Sequence, residues 1–357
     1  MTDMDAAAPT DTDAVVIGAG PVGLYQVFQL GLLQARAHVI DALPHAGGQP
    51  AELYPDKPIY DLPGIAACTG QQLTDALLAQ IAPLQPAFHF GHEAHTLRRL
   101  PDGRWEIGAR TLHASGGPGD ITLRARALFI AAGVGVFAPK RLKLPGIQAL
   151  EGRQLFYRTF TAADLPAGRV LIAGDDQAAL DCAIALAEAG RHAVTLTHRR
   201  EHFQADAATV ARWRDLQTWG RAQFIAGLPT GFEAEDDRLA ALRITDHAGV
   251  EQRVALDALL VLQGLSPQLG PIADWGLALE RKRLVVDPQR FATSVPGIFA
   301  VGDINTYPGK KKLLVCGFHE TVLAAWGALP ALFPGRPEPP LQYTSSSTHL
   351  QTLLGRR

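Results

Sequence analysis

Short runs of valine, isoleucine, leucine and alanine alternate along this chain with longer amphipathic stretches, the pattern of strand–helix units built around a parallel sheet. The clearest unit is "AVVIGAGPVGLYQVFQLGLLQARAHVID", from Ala14 to Asp41: a predicted buried strand, a glycine turn, a helix and a second strand ending at Asp41. "RVLIAGDDQAALDCAIALAEAGRHAVTLTHRR", from Arg169 to Arg200, repeats it. Residues 88–133 alternate and are punctuated by Asp-Gly and Gly-Gly, which predicts short antiparallel strands closing in the buried run Ala127–Ala132. Residues 232–264 carry the same pattern inside the second unit. "VPGIFAVGD" (295–303) predicts a strand and turn, residues 311–329 a helix, and the Pro- then Ser/Thr-rich segment beyond Pro330 a tail rather than a domain. The repeat predicts an α/β protein with two Rossmann-like dinucleotide-binding domains.

The bulk numbers narrow the partners. At 357 residues and 47% hydrophobic composition the chain can bury two cores. A formal net charge of −2 argues against a general nucleic-acid binder. No apolar run approaches the roughly 18 residues that span a bilayer. The acidic, polar "MTDMDAAAPTDTD" is unlike a targeting segment and is expected to be a short disordered lead-in. The three cysteines, Cys68, Cys182 and Cys316, form no C-x-x-C pair, which fits a reducing, cytoplasmic setting.

Gly18-Ala19-Gly20-Pro21-Val22-Gly23 satisfies G-x-G-x-x-G directly between a predicted strand and helix. The first glycine makes the turn, the second admits a pyrophosphate, and the third allows close packing of helix on strand. Asp41 stands where an acid holds a ribose hydroxyl. Ala132 and Gly133 end a strand in small residues, where the chain passes close to a ligand. Gly302-Asp303 place a carboxylate at another strand end, positioned to accept hydrogen bonds from a sugar-alcohol chain.

In this order these pieces resemble the FAD domain of the flavoproteins with two dinucleotide domains. The strings "GAGPVGLYQ…VIDALPHAGGQPAELYPDKPIYDLPG", "GPIADWGL" and "GIFAVGDINTYPGKKKLL…GF", with the Ser/Thr-rich tail, resemble the thioredoxin-reductase-like ferredoxin/flavodoxin–NADP reductases over nearly the whole chain. The redox C-x-x-C of thioredoxin reductase is replaced by "QLFYRTFTAADLPAG" (154–168), which argues against disulfide exchange of that type. The resemblance implies a discontinuous FAD domain (12–149 and 289–335), an inserted NAD(P)H-binding-like domain (150–288) and a tail (336–357) that crosses to the flavin of a partner subunit in a homodimer. It further implies that Gly48 and Gln49 line the FAD and that Tyr54 stacks on one flavin face. Tyr343 would cover the other face, with Ser345 near the flavin N5 edge. The helix from Lys312 would aim its N-terminal dipole at the flavin pyrimidine. His319, where the family has glycine, is either a proton relay or a helix-surface residue, and Cys316 reads as a small buried hydrophobe. Lys310-Lys311-Lys312 reads equally as a docking patch for an acidic partner such as ferredoxin and as a solvated run.

The second glycine loop departs from the family's G-G-G-D-S-A. Gly174 and the closing Ala179 are kept, but Asp175 and Asp176 replace two glycines, Asp176 where backbone meets pyrophosphate. A carboxylate about 4 Å from a phosphate charge is opposed by roughly 4 kcal/mol at an effective dielectric of about 20. Against this, His198-Arg199-Arg200 resembles the family's clamp for the 2′-phosphate of NADP. Two expectations stand side by side. In the first, NADPH reduces FAD and electrons pass singly to ferredoxin or flavodoxin. In the second, this domain has lost pyridine-nucleotide binding and the flavoprotein uses another donor or substrate. A non-catalytic flavoprotein sensor ranks behind both.

Overall fold

The computed structural model describes residues 8–53, 55–112 and 119–356. Each of the two repeats in the sequence forms a βαβ unit. In the first, β1 (Ala14–Ile17) leads through the glycine turn into α1 (Pro21–Leu32) and then β2 (Ala37–Asp41). In the second, β3 (Gly168–Gly174), α2 (Gln177–Glu188) and β4 (His192–His198) follow the same course. The chain divides into one unit of residues 1–136 and 268–357 and another of 137–267. Segments 137–149 and 268–288 therefore fall on the other side of the division from where the sequence reading placed them.

The first unit is built on a five-stranded parallel sheet. Its order is β5 (Ile298–Ala300), Ala127–Ile130, β1, β2 and Ala87–Phe90. The strands pair from their first residues, Ala14 against Ala37 and Ala127, so every ladder group of the central strand is satisfied on both sides. Val15, Val16, Ile40, Leu128, Phe129 and Ile130 are at most 1% exposed, as expected of strands covered on both faces. Each such side chain contributes about 1.5–3 kcal/mol relative to exposure. The glycine-loop helix α1 and α3 (Leu314–Gly327) belong to the same core. Three antiparallel strands, His92–Arg99, Trp105–Thr111 and Ile121–Ala125, complete the unit.

Two expectations are corrected here. The stretch expected to open the antiparallel set, Ala87–Phe90, instead pairs parallel with β2 as the edge of the main sheet. Within the acidic lead-in, expected to be disordered, Thr10 and Asp11 pair with Leu123 and Arg124, and Asp11 bridges Arg104 at 2.8 Å. Of its charges, Asp11 ends a ladder and pairs with Arg104, and Asp13 pairs with Arg36. The tail is likewise partly structured, with Thr348–Leu353 helical, Ser347 capping it and Leu350 buried.

The second unit repeats the plan. Leu155–Phe156, Ala258–Leu262, β3, β4 and Ala222–Ala226 form a five-stranded parallel sheet with the glycine-loop strand at its centre. Leu228–Glu235, Arg238–Thr245 and Glu251–Ala255 are antiparallel. Trp213, Leu180, Leu196 and Leu260 anchor its core at full burial. Among the described residues no helix is long and apolar enough to cross a membrane.

Candidate functional site

In the first unit the residues singled out from the sequence converge at the carboxyl ends of the parallel strands, where ligands of open α/β sheets bind. Gly18 turns the chain at the end of β1 with φ +106, and Gly23 packs so closely that a Cβ there would lie 1.8 Å from the Gly18 carbonyl oxygen. Gly20 precedes α1 in extended conformation and no side chain caps the helix. With Pro21 at the helix start and no capping side chain, this helix N-terminus suits an anion. Gly48, at φ +56, comes so near that a Cβ on it would stand 2.8 Å from the Gly20 Cα. At Gly18, Gly23 and Gly48 no side chain fits, and the backbone cradle they form fits a dinucleotide diphosphate.

Around the cradle, the Asp41 carboxylate ends β2 and accepts hydrogen bonds from the Ala19 amide at 2.5 Å and the Leu43 amide at 2.8 Å. Burial raises its pKa above the ordinary carboxylate value, partly offset by those two amides. Ala132 and Gly133 follow the strand Ala127–Ile130, and a methyl on Gly133 would lie 3.0 Å from the Gln49 side-chain amide. Val22 of α1 packs against the Gly302 turn and against Gly317 of α3. The Asp303 carboxylate has no hydrogen-bond partner among the described residues and remains free to accept from a ligand.

The Gly302 turn is held by a network that the sequence reading missed. Glu320, fully buried on α3, accepts from the Gly302 amide at 2.7 Å, from Asn305 at 2.8 Å and from the Tyr307 hydroxyl at 2.9 Å. Lys310 completes it, pairing with Glu320 and donating to the Gly302 carbonyl at 2.8 Å. Burial, and the carboxylate beside it, push the Tyr307 hydroxyl pKa well up, so it stays a donor. A buried carboxylate with this many donors is satisfied; losing it would strand a buried ammonium. "GD-x-x-x-Y-x-GK" held part of the signal in Tyr307 and Lys310, but nothing local pointed to Glu320, on a later helix. The lysine run is corrected accordingly: Lys310 is buried in this pair, and only Lys311 and Lys312 are exposed.

Tyr54 lies outside the described residues. Tyr343 is 66% exposed, and Ser345 is exposed beside it. His319 sits on the exposed side of α3, while Cys316 is half-buried near its start. The Leu313 cap of α3 has no side-chain bond, leaving that helix N-terminus open.

In the second unit the two aspartates have distinct structural uses. Asp176 is the N-cap of α2, its Oδ1 accepting from the Ala179 amide at 3.0 Å. Asp175 reaches the end of the second strand: its Oδ2 accepts from the Gln204 side-chain amide at 3.0 Å and lies 3.5 Å from His198 Nε2. The Gln204 backbone amide donates to the Asp175 carbonyl at 2.7 Å, tying the glycine loop to the segment after β4. Arg199 and Arg200 are exposed and carry no side-chain hydrogen bond or ion pair among the described residues. Gly174 keeps its place because a Cβ there would meet the Leu262 carbonyl oxygen at 2.1 Å.

Two parallel-sheet units, each with a glycine loop opening onto a helix N-terminus at the strand ends, define a two-domain dinucleotide-binding α/β protein. A family model for pyridine nucleotide-disulphide oxidoreductases matches residues 12–324, and the chain belongs to that family. It is 49% identical over 350 residues to a protein named ferredoxin–NADP reductase from Polaromonas naphthalenivorans (strain CJ2), covering 97% of this chain and 93% of that one. It is likewise 49% identical over 347 residues to ferredoxin–NADP reductase 2 from Cupriavidus taiwanensis, covering 97% and 91%. In fold it is similar to a thioredoxin reductase from T. acidophilum, at TM-score 0.52 and 22% identity over 89% of this chain and 97% of that one. It is also similar to the bacillithiol disulfide reductase of Staphylococcus aureus, at TM-score 0.57 and 14% identity over 90% and 98%.

Proposed function

We propose that the protein is an FAD-dependent ferredoxin–NADP reductase. Bound FAD would supply the two-electron/one-electron chemistry that lets hydride from NADPH be passed on as single electrons to ferredoxin or flavodoxin. The observation that carries the reading is the uncapped diphosphate cradle of the first unit, in a chain 49% identical to proteins named ferredoxin–NADP reductase. Gly18, Gly20, Pro21, Val22 and Gly23 hold the FAD diphosphate, Asp41 the adenosine ribose, and Asp303 the ribityl hydroxyls. Gly48, Gln49, Ala132, Gly133 and Gly302 let backbone approach the cofactor. Tyr54 and Tyr343 are the candidate flavin-stacking rings, the second from the partner subunit of a homodimer; its high exposure in the single chain supports that assignment. Ser345 and His319 are candidates at the flavin edge. The site residues position flavin and nicotinamide, and hydride transfer needs no protein acid or base.

In the second unit, Gly174, Asp176 and Ala179 shape the diphosphate turn while His198, Arg199 and Arg200 take the 2′-phosphate. The reading in which this unit has lost pyridine nucleotide is not favoured: the two arginines have no ion-pair partner among the described residues, and the related proteins are named NADP reductases. Anaerobic mixing with NADPH, followed at the flavin absorbance, tests the proposal. Bleaching within seconds, and recovery of the absorbance when oxidised ferredoxin is added, are the expected results. An unreduced flavin at millimolar NADPH would defeat it.

A further inference from the structure

We propose that Asp175 sets how the second unit discriminates between 2′-phosphorylated and unphosphorylated nicotinamide nucleotides, by acting as an internal anion on the groups that meet the 2′ position. The inference rests on the proposed nucleotide site of that unit and goes beyond it. A dinucleotide on a βαβ unit places its diphosphate at the helix N-terminus and its adenosine ribose at the end of the second strand; an acid there takes the 2′-hydroxyl, an arginine the 2′-phosphate. Here that strand end carries His198, followed by Arg199 and Arg200.

The two aspartates act at different ends of such a ligand. Asp176 sits on the helix N-terminus, where both kinds of nucleotide present the same diphosphate. Asp175 turns the other way. Its carboxylate occupies His198 and the Gln204 amide, and both side chains of the Asp175–His198 pair are largely buried, at 17% and 18% exposure. A 2′-phosphate entering here brings more negative charge against that carboxylate and has to draw His198 away from it. An unphosphorylated ribose brings a hydroxyl that can donate to the same carboxylate. Arg199 and Arg200 favour the phosphate, so Asp175 narrows a preference that the arginines create.

The test is calorimetric titration of the purified flavoprotein with NADP+, NAD+ and adenosine 2′,5′-bisphosphate, in the wild type and in Asp175→Asn, Asp175→Gly and Arg199→Ala. Asp175→Asn keeps the shape and removes the charge; Asp175→Gly covers the case in which the amide misfolds the loop. Either variant is expected to tighten NADP+ and the bisphosphate about tenfold or more, and to leave NAD+ unchanged or weaken it by less than about threefold. NADP+ binding gained by a variant where the wild type shows none, without an equal gain in NAD+, also supports the role. Equal shifts for NADP+ and NAD+, or no shift, in a protein that binds NADP+ and loses it on Arg199→Ala, overturn the role of Asp175 alone. Absence of binding by either nucleotide to every form at millimolar concentration overturns the nucleotide site and Asp175's role with it.

Discussion

The two βαβ units place matching groups at matching positions and reverse their chemistry. Ile17 pairs with Ile40 in one and Ala173 with Thr197 in the other, so Asp41 and His198 occupy the same strand-end position. Ala19 and Asp175 each follow the first glycine. In the first unit the strand end is the acid and the loop donates an amide to it. In the second the loop carries the acid, set against an imidazole at the strand end. Gly20 leaves α1 uncapped, whereas its counterpart Asp176 caps α2 with its own carboxylate. One scaffold therefore presents an open anion cradle once and a partly self-satisfied one the second time. A helix N-terminus attracts whatever anion is available, and a side chain two atoms long can take the place of a ligand.

The largest effect is expected from exchanging the chemistry of the two loops. Gly20→Asp is sterically permitted, since a Cβ there meets only the Gly48 Cα, at 3.7 Å. Its charge at the diphosphate would weaken FAD by about two to three orders of magnitude. The variant should purify folded by circular dichroism but colourless; a yellow protein with full flavin content would break the comparison.

A smaller effect is expected at the cap. Asp176→Ala should cost about 1 kcal/mol in urea unfolding of the second unit, and Asp176→Ser should recover most of it. Equal stability of Ala and Asp forms would show that the carboxylate is not acting as a cap.

Acid separates the units more gently. His89 stacks with His38, and burial first, then the His38 and His92 charges, hold its pKa at about 4 against an ordinary 6.5. Its folded pKa is depressed and the group is a base, so the stability it contributes is present above pH 6.5 and lost as pH falls toward 4. Asp41, whose pKa is raised by burial, opposes this trend in the same unit. In the second unit Asp257, hydrogen-bonded by Arg169, has its pKa lowered to about 2. Its contribution survives until pH falls from 3.8 toward 2. The first unit should therefore lose denaturation midpoint between pH 6.5 and 4 while the second holds. Parallel loss in both, followed by fluorescence and circular dichroism in urea, would remove that distinction.

Much of the fold was legible because its signals are local and periodic. Apolar runs of strand length marked both parallel sheets, and the glycine turn with Asp41 marked the first ligand site, since backbone approach and a strand-end acid are needed wherever a dinucleotide lies. The edge strand Ala87–Phe90 was misread because the same alternation serves a parallel edge and an antiparallel meander. The ordered Thr10–Asp11 was missed because its partners, Leu123 and Arg124, lie far along the chain.

By itself, then, the sequence determined two glycine-loop units, each with a buried strand running into its turn, and which loop was left free of acid. Tertiary structure alone decided what the remaining charges do. Glu320 and Lys310 became a buried pair under the Gly302 turn, and Asp175 and Asp176, adjacent in the chain, were sent to a strand end and a helix end. Composition and spacing count a charge without its partner. Only the folded chain brings the partner within hydrogen-bond reach, and that distance decides whether a carboxylate repels a ligand, caps a helix or neutralises a lysine.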